Sequence, residues 1–196
     1  MLKLLTLFLF KICGWKLIGE KPADLKKCVV VGAPHTSNFD FIFALAGLHI
    51  IDAPIRFLIK NDWLKNRLIG KLLKDVGAVG VDRSKSNTMV DALTNLLIES
   101  EEDLYLLITP EGTRKYTPIW KTGFYNIALK AKVPILLTGL DYRKKEAYVG
   151  SHFVPTGCYK RDMQILKDFY QNLTPKYPEK FSLQIYQPDE QAVCSG

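Results

Sequence analysis

CVVVGA, residues 28–33, is a short apolar run, rich in β-branched side chains and closed by Gly32 and Ala33. It reads as a buried strand. Outward from it, the same kind of run recurs at Pro54 to Lys60, Ala78 to Asp82, Leu104 to Thr109, Val133 to Tyr142 and Tyr148 to Phe153. Phe181 to Tyr186 alternates like a final strand. Between these lie helix-compatible stretches at Asn38 to Ile50, Asn61 to Asp75, Ser86 to Ser100, Gly123 to Lys132 and Lys160 to Leu173. Asn61 or Asp62 is placed to cap the second of these helices, and Gly77 lies just past its end. In the third, Met89, Val90, Leu93, Leu96 and Leu97 share one side. Strands and helices therefore alternate, and the central strands lack polar alternation. That pattern predicts an α/β fold with a mostly parallel central sheet flanked by helices. A single domain over residues 1–196 is expected, because no low-complexity linker or internal repeat divides the chain. In such sheets, sites collect at the carboxyl ends of strands.

The first run leads into Pro34-His35-Thr36-Ser37-Asn38-Phe39-Asp40. A spacing of five does not put two residues on one helix face, since the neighbours there are i,i+3 and i,i+4. His35 and Asp40 meet only if the histidine lies in a turn and the aspartate in the first turns of the following helix. Pro34 disfavours α conformation in the residue before it, and Thr36, Ser37 and Asn38 are all competent caps. An aspartate that accepts the Nδ1 hydrogen fixes the imidazole tautomer and stabilises the imidazolium formed when Nε2 takes a proton. No Gly-x-Ser-x-Gly accompanies the pair, which favours direct attack by a substrate hydroxyl with His35 as general base. Taken alone, His-x-x-x-x-Asp is a weak signal, and a surface histidine beside a helix cap matches it equally well.

A second polar motif, Pro110-Glu111-Gly112-Thr113-Arg114-Lys115, closes the run at 104–109. Gly112 allows backbone N–H groups to approach a ligand closely. Arg114 offers a planar fork suited to phosphate, and Thr113 can donate a hydrogen bond. Glu111 is placed either to position a ligand hydroxyl or to lock Arg114. Arg83 directly follows the run at 78–82, and Lys121 precedes the helix that Thr122 and Gly123 open, where free N–H groups favour an anion. Without its neighbours, the second motif reads as an ordinary turn with a surface ion pair.

The net charge of +7 suits nucleic acid, an anionic membrane surface or a phosphorylated substrate, and charge alone does not choose among them. The densest basic run is Arg143-Lys144-Lys145, and the aromatics sit mostly in apolar segments, an arrangement that argues against nucleic acid. Cys13, Cys28, Cys158 and Cys194 form no Cys-x-x-Cys pair, so neither a metal site nor a disulfide framework is expected, and reduced thiols are. Residues 1–18, MLKLLTLFLFKICGWKLI, are broken by Lys11 and Lys16 and are too short for a spanning helix, which needs roughly 20 mostly apolar residues. Cys13-Gly14-Trp15 is a poor signal-peptide cleavage site. Lys3, Thr6 and Lys11 fall on one side of a helical wheel and Leu5, Phe8, Leu9 and Ile12 on the other. Residues 1–20 are therefore expected to hold a helix at a membrane interface, or one packed on the domain.

Together these segments resemble the glycerolipid acyltransferase family, the enzymes that acylate glycerol 3-phosphate and lysophosphatidic acid. His35 and Asp40 match its His-x-x-x-x-Asp block. Gly77 to Arg83 matches loosely its strand that ends in arginine. Pro110 to Arg114 matches its Phe-Pro-Glu-Gly-Thr-Arg block, and Val133-Pro134-Ile135 its Val-Pro-Ile block. The resemblance covers about Cys28 to Asp141. It implies an acyl thioester donor on coenzyme A or acyl carrier protein as co-substrate, with no metal, no other cofactor and no acyl-enzyme. It implies His35 as the base, with Arg83, Glu111, Gly112 and Arg114 on the acceptor and the arginines on its phosphate. The expected reaction acylates a lysophospholipid, 1-acylglycerol 3-phosphate giving phosphatidic acid, by a peripheral protein at the cytoplasmic face of the membrane.

The chain departs from the family pattern at Pro34, where Asn is frequent, at Thr109 for Phe, and at Lys115 for Ser. Leu136-Leu137 also lacks a proline often found there. These changes bear on the acceptor, and a lyso-aminolipid is the alternative substrate. A non-catalytic membrane-binding protein is the alternative class, but it leaves the paired strand-end motifs without a purpose.

Overall fold

The apolar runs at 28–33, 104–109 and 133–142 supply strands whose two faces are both buried. The computed structural model describes residues 2–81 and 86–185. In chain order the first half runs α1 (Leu2–Ile12), β1 (Lys16–Ile18), β2 (Lys27–Gly32), α2 (Asn38–Ile50), β3 (Ile55–Lys60), α3 (Asn61–Lys65), α4 (Arg67–Asp75) and β4 (Ala78–Val81). The second half runs α5 (Ser86–Glu99), β5 (Leu104–Ile108), α6 (Gly123–Ala131), β6 (Ile135–Asp141), β7 (Glu146–Phe153) and α7 (Tyr159–Tyr170). Among the described residues the sheet has seven strands, in the order β1-β7-β6-β2-β5-β3-β4. β2 pairs in parallel with both β5 and β6, and β3 with both β4 and β5. β7 returns antiparallel to β6, and β1 runs parallel to β7. The architecture is thus the expected α/β type, a mostly parallel sheet flanked by helices.

Alternation along β2 divides the core, because successive side chains point to opposite faces. Val29 and Val31 pack with Leu93 and Leu97 of α5, Phe124 and Ile127 of α6, and Met163 and Leu166 of α7. Cys28 and Val30 pack on the other face with Leu45 and Leu48 of α2, against which Leu64 and Leu73 also lie. A third cluster joins α1 to the sheet edge through Phe10, Trp15, Phe43, Leu140 and Ala147. Each fully buried side chain of this size contributes about 1.5–3 kcal/mol, so both sheet faces are anchored independently of the site.

Several elements differ from the sequence reading. The N-terminal helix stops at Ile12, with Gly14 left-handed at φ +74° just beyond it. Lys16–Ile18 is then an edge strand, a partner the periodicity of residues 1–18 conceals. The helix expected over 61–75 breaks at Asn66, a residue type whose side chain competes with helical hydrogen bonding. No strand forms over 181–185: Ser182 and Gln184 carbonyls bond Trp120 instead, and Ile185 is buried in the α5–α7 core. Arg143 to Lys145, the densest basic run, is the hairpin turn between β6 and β7. Cys13 and Cys28 are free thiols, whereas Cys158 is disulfide-bonded, which corrects the expectation of reduced thiols at that position. Cys194 lies outside the described residues.

Candidate active site

β6, β2 and β5 are neighbours, and their carboxyl ends deliver three polar segments to one place. β2 ends at Gly32 and is followed by a cis peptide between Ala33 and Pro34. The turn then crosses close over β6: a Cβ on Gly139 would stand 2.7 Å from the Ala33 carbonyl oxygen. His35 follows, and α2 begins three residues later. Ser37 is its N-cap, accepting from the Phe39 N–H, and Asp40 at the third helical position completes a capping box. Asp40 Oδ2 accepts from the backbone N–H groups of Thr36 and Ser37, both at 2.7 Å. The same oxygen lies 3.4 Å from His35 Nδ1. That is longer than a good hydrogen bond, and catalytic contacts commonly tighten from such values when substrate binds. The expected turn-then-helix arrangement of the pair is what the structure contains.

The dyad is held from outside its own segment. Glu111, at the end of β5, accepts from the His35 N–H through Oε1 at 2.9 Å. Its carboxyl is only 2% exposed, and Oε2 has no hydrogen-bond partner among the described residues. Burial raises Glu111 to a pKa of about 7, against the lowering effect of backbone N–H donors and His35. Glu111 therefore faces His35 rather than Arg114 or open solvent. From the other flank, the Tyr142 hydroxyl, just beyond β6, donates to Asp40 Oδ1 at 2.6 Å. The segment after α7 closes over both: the Thr174 carbonyl accepts from the Tyr142 N–H at 2.8 Å, and Thr36 Oγ1 accepts from the Tyr177 N–H at 3.3 Å.

Gly112 is left-handed at φ +64°, as a tight strand-end turn requires. A Cβ there would meet Lys121 Nζ at 3.0 Å, so the Lys121 ammonium lies against the turn's backbone. Lys121 is tethered by its N–H to the Pro110 carbonyl at 2.9 Å. Arg114 is exposed and makes no ion pair among the described residues. Thr113 Oγ1 accepts from the Lys115 N–H at 3.2 Å, which shapes the turn. His35, Asp40, Glu111, Gly112 and Lys121 are thus brought together, with Thr113 and Arg114 on the same turn. Arg83 lies outside the described residues.

Two neighbours of the dyad escaped the sequence reading. Tyr142 ends the expected strand at 133–142, and its only signal was a polar aromatic at a strand's carboxyl end. Lys176 carries no motif; its ammonium lies 3.9 Å from the centre of the half-exposed Phe39 ring and 5.9 Å from that of Tyr142.

Chemically, a histidine with Nδ1 against a fixed carboxylate can take a proton at Nε2. The buried thiol nearest in sequence, Cys28, is a poor nucleophile: desolvation pushes it far above the ordinary thiol range, only partly offset by Lys21. No group of residues suited to a metal ion occurs among the described residues. No described helix is long and apolar enough to cross a membrane.

Comparison with known proteins gives three results. The family model described as Acyltransferase matches residues 16–137. No curated protein matches the chain. Among solved structures, the 1-acyl-sn-glycerophosphate (LPA) acyltransferase PlsC from Thermotoga maritima is similar at a TM-score of 0.59 and 16% identity, covering 89% of this chain and 79% of that one. At that identity the likeness is one of fold.

Proposed function

The chain belongs to the Acyltransferase family, and on that premise we propose that it moves a fatty acyl chain from an acyl thioester to a lysophospholipid hydroxyl. The first candidate acceptor is 1-acylglycerol 3-phosphate, giving phosphatidic acid. The observation that carries the reading is the His35–Asp40 contact, with Asp40 fixed by two backbone donors of its own turn. His35 Nε2 takes the proton of the acceptor hydroxyl as its oxygen bonds to the thioester carbonyl carbon. The C–S bond then breaks, and the thiolate leaves with the proton returned from the imidazolium. Donor and acceptor react directly, so no protein nucleophile is consumed.

Glu111 acts within the protein in this scheme, holding the His35 backbone rather than the acceptor. Arg114 and Lys121, beside the exposed Gly112 turn, supply cations for the acceptor's phosphate. Arg83 belongs with them on the strength of its position in the sequence. The acceptor is delivered from a membrane surface that α1 touches. The turn of α1 on the domain favours this: Thr6 is buried with Phe10, while Leu4, Leu5, Phe8 and Ile12 are 51–72% exposed. The wheel's small polar residue thus faces the domain, and an apolar stripe of i, i+4, i+8 spacing is left outward.

The test is thiol release from acyl-coenzyme A and from acyl carrier protein, against lysophosphatidic acid and a phosphate-free lyso-aminolipid. His35→Ala is expected to lose about 10²–10⁴-fold in rate; full transfer by that variant would remove His35 as the base. Arg114→Ala is expected to raise KM for the phosphate-bearing acceptor selectively. Equal weakening for both acceptors would remove its phosphate role.

A further inference from the structure

We propose that Tyr142 is a positioning residue for the dyad: its hydroxyl, by donating to Asp40 Oδ1, orients the carboxylate so that Oδ2 faces His35 Nδ1. The inference rests on the function proposed above. The two Asp40 oxygens have separate duties. Oδ2 takes the Thr36 and Ser37 N–H groups and faces His35. Oδ1 takes the Tyr142 hydroxyl at 2.6 Å, the length of a charge-assisted O–H···O⁻ bond. The backbone donors alone hold one oxygen, and a carboxylate held at one oxygen can still rock about its last torsion. A donor on the second oxygen removes that freedom.

Tyr142 is built to be such a donor. Its ring stands edge-on to Trp15, with centroids 5.0 Å apart and planes at 87°, and near Phe43 at 6.3 Å. Its N–H is bonded to the Thr174 carbonyl. The hydroxyl is therefore aimed by α1's trailing segment, α2 and the segment after α7 together. Burial, followed by the hydrogen bond to Asp40 and its charge, pushes the phenol well above its ordinary range, so it keeps its proton while the dyad works. Lys176 and Tyr177 are polar groups beside it, and Thr36 and Ser37 share its Asp40 partner.

Tyr142→Phe removes one oxygen and retains the ring packing. The expected result is a fall in kcat of about tenfold or more, since a hydrogen bond to a charged group is lost. KM for both substrates should stay within about twofold. The acid limb of the pH–rate profile should move to higher pH, because the unsatisfied carboxylate favours the imidazolium more strongly. The protein has three histidines, so the His35 ring titration can be followed by NMR in wild type and variant without any turnover. A wild type that transfers no acyl chain overturns the functional reading but leaves the NMR comparison as the test of Tyr142. Unchanged kcat in an active enzyme, or an unchanged His35 titration, overturns the role of Tyr142 and leaves the function standing. Should the phenylalanine variant not fold, 3-fluorotyrosine at position 142 keeps the hydroxyl and strengthens its donation. The limb and the His35 titration should then move to lower pH, and no movement would refute the proposal.

Discussion

Glu111 gives a prediction that can be worked from the structure in kilocalories. Its carboxyl is 2% exposed, one oxygen accepts from the His35 N–H, and the other has no partner among the described residues. Desolvation, the largest cause, raises it from an ordinary 4.5 to about 7. A shift of that size corresponds to about 3 kcal/mol between the two protonation states. Because the folded value lies above the unfolded one, Glu111's contribution to stability is fully present below about pH 4.5 and is lost as pH rises through about 7. Glu111→Gln keeps an oxygen for the His35 N–H but cannot ionise. Urea unfolding of both proteins, followed by tryptophan fluorescence at pH 4.5 and pH 8, measures the difference. Other titrating groups cancel between the two chains. The gap should move by about 2–3 kcal/mol in favour of the glutamine variant as pH rises. His35 lies beside the carboxyl, so the pair is repeated on a His35→Ala background. A gap that stays constant from pH 4.5 to pH 8 on both backgrounds would refute the buried, partly protonated Glu111.

Two further outcomes follow from the turn and the helix. Gly112→Ala forces a left-handed residue and pushes a methyl to within 3.0 Å of Lys121 Nζ; unfolding stability should drop by about 1–2 kcal/mol, and KM for a phosphate-bearing acceptor should rise while the phosphate-free one changes less. An effect confined to stability would separate Lys121 from the acceptor. Replacing Leu4, Leu5, Phe8 and Ile12 with serine should abolish flotation with anionic vesicles and leave the melting temperature nearly unchanged, since these side chains are 51–72% exposed. Undiminished vesicle binding would remove α1 as the membrane contact.

The sheet and the helices on it were legible because their signals are local. Val29 to Val31, Leu104 to Leu107 and Ile135 to Leu137 are buried throughout or nearly so, and continuous apolar runs announce that condition. What misled the reading was context. Residues 16–18 become a strand only because β7 lies alongside, and residues 181–185 do not become one because the Ser182 and Gln184 carbonyls bond Trp120 and Ile185 packs into the core. α1 shows a different effect of context. Its wheel separates polar from apolar residues, yet the domain buries Thr6, whose hydroxyl is already bonded to the Lys3 carbonyl. A threonine that satisfies itself within the helix can face a protein surface and leave the larger apolar side chains outward.

The same distinction divides the candidate site. Everything that makes Asp40 a helix cap lies within four residues of it, so the dyad could be read from one short segment. What aims the dyad lies far away in sequence. Glu111 is 76 residues from His35, Tyr142 is 102 from Asp40, and Tyr177 is 141 from Thr36. A crossover topology with β2 between β5 and β6 is what brings the first two to opposite flanks of the turn. A histidine and a capping aspartate alone would sit on a solvated loop, where the imidazole could turn away at little expense. The His35 N–H is held from beyond β5 and Asp40 Oδ1 from beyond β6, so the segment that carries the pair is fixed on both flanks by neighbouring strands. The central position of β2 is therefore the feature that converts a common five-residue spacing into a preorganised histidine–aspartate pair.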